Sequence, residues 1–155
     1  MGKFSFRLAT EEDRDFVRQL SAGVFSMFGD YDEALARWFL QPGVFTVIGA
    51  VNGAAAGFAI LQLAEKRNWH SSTGELLALA VIPEYHRIGV GEALLGHVEK
   101  LASQAGLSKI RLHTAIDNIP ARNLFQKAGY RRVGSEKSYY PKGQSAVMMM
   151  KTLDT

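Results

Sequence analysis

The segment 79–95, LAVIPEYHRIGVGEALL, constrains this chain more than any other part of it. An apolar run ends at Val81, and Pro83, which has no N–H to give, cannot continue a ladder. A short polar turn follows, and Gly89 and Gly91 open a helix in which Ala93, Leu94, Val98 and Leu101 recur at helical spacing, with Gly106 in the terminator position. The first turn of such a helix carries N–H groups without intrahelical partners at the positive end of its dipole, and glycines let a ligand approach the backbone. The pattern therefore predicts a strand, a turn and a phosphate-binding helix start. Two familiar glycine-rich loops fail on spacing. A P-loop needs Lys-Ser/Thr after its last glycine, but Gly91 is followed by Glu92 and Ala93. The dinucleotide fingerprint needs a third glycine, which is absent. Taken alone, the two glycines fit a purely structural turn equally well.

The rest of the chain supplies strands and helices around this unit. Phe4, Phe6 and Leu8 alternate with polar positions as a strand, and Thr10-Glu11-Glu12-Asp13 reads as a capping signal for a helix that turns Phe16, Val17 and Leu20 inward. A second helix is expected from about Asp32 to Leu40, stopped by Pro42 and Gly43, with Trp38 and Phe39 in the core and, as the lesser option, lining a ligand cleft. Val44 to Val51 and Ala54 to Leu63 form a hairpin around Asn52-Gly53. Glu65 to Thr73 reads as a loop, with Trp69 and His70 in reach of a ligand or merely solvated. Strands follow at Glu75 to Val81, Ser108 to Thr114, Tyr130 to Glu136 and Ala146 to Thr152, and a short helix at Ile119 to Lys127. His97 is expected on the surface, and Met148, Met149 and Met150 in the core. The order implies one domain over residues 1–155, of the α/β (α+β) class, with a mixed sheet of about seven strands and about four helices on its faces.

Two motifs, in this order and about thirty residues apart, carry a resemblance to the GNAT N-acetyltransferases. His86-Arg87-Ile88-Gly89-Val90-Gly91 is similar to their Gln/Arg-x-x-Gly-x-Gly/Ala, and the stretch from Asn118 through Ala128-Gly129-Tyr130 to their Asn, short helix and Gly-Phe/Tyr. The resemblance implies a mostly antiparallel GNAT-type sheet and acetyl-CoA as co-substrate. Backbone groups of Leu79, Ala80 and Val81 would hold the pantetheine arm and thioester. Amides of Arg87, Ile88, Gly89, Val90, Gly91 and Glu92 would cradle the pyrophosphate, and Asn118, Arg122 and Phe125 would flank the arm on its other side. The reaction it implies is direct attack of a primary amine on the thioester.

The catalytic groups are less uniform. Where many members carry a tyrosine that protonates the leaving thiolate, this chain has Phe125, so either another group serves, with Tyr130, Tyr139 and Tyr140 as candidates by residue type, or the thiolate leaves unaided. An amine protonated at neutral pH needs a base. His113 stands where the ribosomal-protein alanine acetyltransferases of the family carry a catalytic Glu, and an imidazole titrates in the right range. Glu75 is its rival, acting through water. The tail, with Tyr139-Tyr140-Pro141 and a closing Ala-x-x-Met, is also similar to that subgroup and suggests a protein N-terminus as acceptor, a small amine being the other option. Loss of the tyrosine also favours a second reading, a non-catalytic acyl-CoA-binding regulator.

Composition narrows the partners. The chain has no cysteine, which excludes a disulfide framework, a thiolate zinc site and a cysteine nucleophile, and the chemistry requires no metal. Up to Glu75 there are seven Lys/Arg against nine Asp/Glu; from Leu76 onward there are eleven against six. The basic half lacks the Arg/Lys block or interleaved aromatics of a nucleic-acid surface, and an acidic small molecule accounts for it. No apolar run approaches the roughly 18 residues of a membrane span, nor does the start suggest a signal peptide. The expectation is a cytoplasmic protein without nucleic-acid or membrane partners, with room in the family for a homodimer through the C-terminal strands.

Overall fold

The structure is a computed structural model that describes residues 3–63 and 72–153. Its strands are β1 (Phe4–Leu8), β2 (Val44–Val51), β3 (Ala54–Gln62), β4 (Thr73–Val81), β5 (Lys109–Ala115), β6 (Arg131–Glu136) and β7 (Ala146–Thr152). Its helices are α1 (Arg14–Phe25), α2 (Tyr31–Trp38), α3 (Val90–Gln104) and α4 (Ile119–Lys127). The strands form a seven-stranded sheet in the order β1-β2-β3-β4-β5-β7-β6. Every pairing is antiparallel except β4 with β5. The β2–β3 turn has Asn52 at φ 50° and Gly53 at φ 85°, the paired positive values that Asn-Gly supplies in a tight hairpin.

Each face of the sheet is covered. Leu94, Leu95 and Val98 of α3 and Phe125 of α4 pack with Leu61, Leu76 and Leu112 on one side, while Val17 and Leu20 of α1 and Leu35 of α2 pack with Ile48, Phe58 and Ala80 on the other. Three expectations about packing need correction. Trp38 is 40% exposed and only Phe39 is fully buried, because α2 ends at Trp38 and turns its indole outward. His97 is half-buried, stacked on Phe6 with centroids 4.9 Å apart. Of the three methionines only Met149 reaches the core, since neighbours on a strand alternate faces.

The strand that matters most for function is β4. Ile60 of β3 pairs with Ala78, but Leu61 pairs with Leu76, so Leu77 is an extra residue, a β-bulge. Leu77 and Ala78 consequently both pack toward α1 and α2, whereas Leu76 and Leu79 pack toward α3 and α4. The parallel ladder with β5 runs from Thr73–Lys109 to Leu76–Leu112 and stops there, at the bulge. Beyond it β4 stays with β3 and β5 stays with β7, and the sheet opens between them.

At the start of α1 the capping signal works mainly through Asp13. Its carboxylate accepts the Thr10 N–H at 2.8 Å and both Arg7 Nη groups at 2.8 Å each. The Arg7 hydrogen bonds hold this nearly buried carboxyl below its usual range, outweighing its burial. A depressed folded pKa makes the contribution complete above the unfolded value of about 3.9 and loses it as pH falls through the folded value. Asp13→Asn should therefore lower stability at neutral pH by about 1–3 kcal/mol and shrink the gap to the parent protein in acid. Denaturant melts across that pH range would show it; a constant gap would refute it.

Candidate active site

The opening between β4 and β5 is lined by Leu77 and Leu79 of β4, by His113, Thr114 and Ala115 of β5, and by Leu124 and Phe125 of α4. Phe25, Phe28 and Tyr31 close it from the α1–α2 side, and Tyr139 and Tyr140 from the β6–β7 connection. These two walls are joined: Gln144 Nε2 donates to Met27 O at 2.7 Å, and the Phe28 and Tyr140 rings lie 4.8 Å apart.

Register brings the titrating groups together. Glu75 pairs with Arg111, which places His113 two residues further along β5 on the same face. Arg111 Nη2 donates to Glu75 Oε2 at 2.8 Å, and the other carboxylate oxygen lies 3.3 Å from His113 Nδ1. On the far side His113 Nε2 is 3.2 Å from Glu136 Oε1. The imidazole stacks on Tyr139, centroids 4.2 Å apart and planes 7° from parallel. The two rival bases of the sequence reading are thus neighbours in one cluster. Glu136 and Arg111, which the sequence reading did not single out, complete it.

Direction along β4 separates its three cofactor candidates. Ile82 N–H donates to Ala56 O on β3 at 2.7 Å, so by the alternation of a strand the Ala80 amide also faces β3, while the Leu79 and Val81 amides face the opening. This corrects the grouping of the three: Ala80 belongs to the β3 ladder, its side chain in the opposite core. Leu79 lies in the cleft with His113, whereas Val81 lies beside Gly91.

From Val81 the chain turns into α3. His86 Nε2 donates to the Val81 carbonyl at 2.7 Å, since the carbonyl can only accept. His86 therefore shapes the turn with its side chain. Arg87 (φ 67°) and Gly89 (φ 91°) adopt left-handed conformations, and the first helical bond is Ala93 N–H to Gly89 O. The amides of Val90, Gly91 and Glu92 precede that bond and point out of the helix start. Ile88 is half exposed beside them.

On the other flank, Asn118 Oδ1 accepts the Ala121 N–H at 3.2 Å and caps α4, and Arg122 Nη1 donates to Ile116 O at 2.9 Å. Both hold the turn between β5 and α4, Arg122 through one of its Nη groups. Phe125 lines the cleft with its ring against Tyr130. Tyr130 itself is excluded as the acid. It is 1% exposed, its hydroxyl donates to Glu99 Oε2 at 2.8 Å, and burial together with Glu99 drives its pKa far up. Burial also raises Tyr139 and Tyr140, the charge of Glu75 adding at Tyr139 and the neighbouring phenol at Tyr140. Both stay protonated phenols at the cleft. Trp69 and His70 lie outside the described residues. Among the described residues no group of three His, Asp or Glu side chains is arranged to hold a metal, and no helix is long and apolar enough to cross a membrane.

Comparison with known proteins finds relatives and the same fold. An N-acetyltransferase of Methanocaldococcus jannaschii, itself uncharacterised, is 27% identical over 94% of this chain and 89% of its own length. The ribosomal-protein-S18-alanine N-acetyltransferase of Escherichia coli shares the fold with a TM-score of 0.84 at 21% identity, covering 99% of this chain and 96% of its own. A Salmonella typhimurium chain solved with its cofactor acetyl-CoA gives 0.79 at 17% identity, covering 97% of this chain and 94% of its own. The model of the acetyltransferase (GNAT) family matches residues 8–130, and the chain belongs to that family.

Proposed function

We propose that this chain, acting as one domain, transfers the acetyl group of acetyl-CoA to a primary amine, either a protein N-terminus or a small molecule. The observation that carries the reading is the opening of the sheet at the β4 bulge, which sets two cleft-facing amides between the α3 start and the His113 cluster. Unpaired donors at both places suit the diphosphate and the polar arm of the co-substrate. An order along the cleft goes with this reading. Val90, Gly91 and Glu92 amides take the diphosphate, the Val81 amide takes the arm, and the Leu79 amide faces the thioester carbonyl.

Bound acetyl-CoA supplies an acetyl group already activated as a thioester. The Leu79 N–H stabilises the charge that develops on the carbonyl oxygen, a contribution worth about 100- to 1000-fold in rate for donors of this kind. His113 takes the proton from the attacking amine, with Glu75 and Glu136 lying against its two ring nitrogens at 3.3 Å and 3.2 Å. The imidazolium so formed has a carboxylate beside it, and the Tyr139 ring keeps it flat. Phe125 gives no proton, so the departing thiolate is protonated by Tyr139, Tyr140 or solvent.

CoA release followed with a thiol reagent tests this directly, because the protein has no cysteine of its own to react. A panel of N-terminal peptides and small amines should reveal turnover with one acceptor class. Tight acetyl-CoA binding with no acceptor acetylated would instead favour the acyl-CoA-binding regulator that Phe125 suggests.

A further inference from the structure

The charges at the cleft mouth bear on which amines enter. Glu75 is matched by Arg111 at 2.8 Å, but Glu136, on the edge strand β6, has no cation of that kind among the described residues. Among the described residues its partner is His113, and its side chain is 50% exposed. The His113 side chain is only 10% exposed, and its Nδ1 has no partner in hydrogen-bond geometry, although Glu75 lies within ionic reach. Nε2 does make a hydrogen bond: its N–H donates to Glu136 Oε1 at 3.2 Å, since the carboxylate can only accept. That hydrogen bond takes up one lone pair of the Glu136 carboxylate and leaves the others open to a ligand N–H.

The surroundings favour a cation. Tyr31, Tyr139 and Tyr140 line the cleft, and aromatic faces attract ammonium groups. The Tyr139 phenol is pushed up first by burial, then by the charge of Glu75, with Tyr31 and Glu136 adding and Arg111 opposing. A negative field at the mouth is the common cause of the carboxylate effects. Phe25 and Phe28 offer apolar surface just inside.

Resting on the reading of this cleft as the acceptor site, we propose that Glu136 is an acceptor-binding residue that anchors the amine in its ammonium form. The site thereby selects amines that are cationic at neutral pH and carry an apolar group beside the nitrogen. Glu136 sets acceptor affinity, and His113 deals with the proton afterwards.

Binding can be tested without turnover. The protein saturated with CoA is titrated with phenethylammonium and, separately, with phenethyl alcohol, while the His113 ring-proton resonance is followed by NMR; four histidines make assignment by His113→Ala straightforward. Phenethylammonium should move that resonance saturably, and the alcohol should bind much more weakly. Glu136→Gln should weaken the ammonium about tenfold, as loss of a charge-assisted hydrogen bond does, with CoA affinity unchanged and Glu136→Asp recovering part of the loss. Equal binding of amine and alcohol, no saturable response to the amine, or an unchanged Kd in Glu136→Gln would overturn the proposal. Binding that persists in a protein that transfers no acetyl group supports the anchor and counts against the transfer reaction alone.

Discussion

Replacing His113 with alanine should lower kcat about 100- to 10,000-fold, the range general-base catalysis supplies, with the KM for acetyl-CoA nearly unchanged. The expectation rests on the ring's setting. Nδ1 lies 3.3 Å from Glu75, the ring lies flat on Tyr139, and the side chain is nine-tenths buried at the cleft. Glu75→Gln should also lower kcat, by a smaller factor, because it removes the charge that balances the imidazolium while leaving the ring in place. The two losses should not add in the double variant, since both act on one proton transfer. Steady-state kinetics of the three variants would decide. Turnover kept in His113→Ala but abolished in Glu75→Gln would make the carboxylate the base and reduce the histidine to packing.

Read from the sequence, His113 and Glu75 are rivals; in the structure they are neighbours, and the reason is register. His113 and Glu75 are 38 positions apart, on strands whose pairing no local pattern reveals. The Asn52-Gly53 turn and the α3 boundaries are local matters of backbone conformation and spacing, and they are legible. The parallel pairing of β4 with β5 is a long-range choice, and the bulge at Leu77 is invisible within the run Leu76-Leu77-Ala78-Leu79, where every residue is apolar. An unbroken apolar strand has no phase to read, so the slip that turns Leu77 and Ala78 to one face leaves no trace.

The site was legible in the same uneven way. The α3 start announces itself because glycine, a preceding proline and helical spacing coincide in one segment. Glu136 does not, because it ends a strand of mostly exposed residues and reaches His113 only across β7, where Ala115 pairs with Ala146 and Ala146 with Glu136. Tyr130 and Tyr139 are alike by residue type. Only packing separates a phenol tied to Glu99 in the core from one stacked on an imidazole at the cleft. Arg122, whose place in the second motif suggested the co-substrate, also gives one Nη hydrogen to Ile116 O, a use that distance alone could disclose.

The co-substrate end of the cleft predicts the opposite kinetic signature. Gly89→Val should raise the KM for acetyl-CoA about 100-fold or more, as loss of two hydrogen bonds to a charged group would, while kcat at saturation stays near the parent value. Gly89 has φ 91°, a conformation that valine resists, so the loop must shift and carry the Val90, Gly91 and Glu92 amides with it. Strain alone could also disturb the protein, and the opposite end of α3 supplies the control. Gly106 has φ 90° and open space around an added Cβ, so Gly106→Val carries similar strain far from the cleft. Each variant should cost about 1–3 kcal/mol of stability, and only Gly89→Val should lose acetyl-CoA. Calorimetric titration of both variants with CoA reads this without any acceptor. Equal losses in the two would assign the effect to strain, and undiminished binding in Gly89→Val would remove the diphosphate from this helix start.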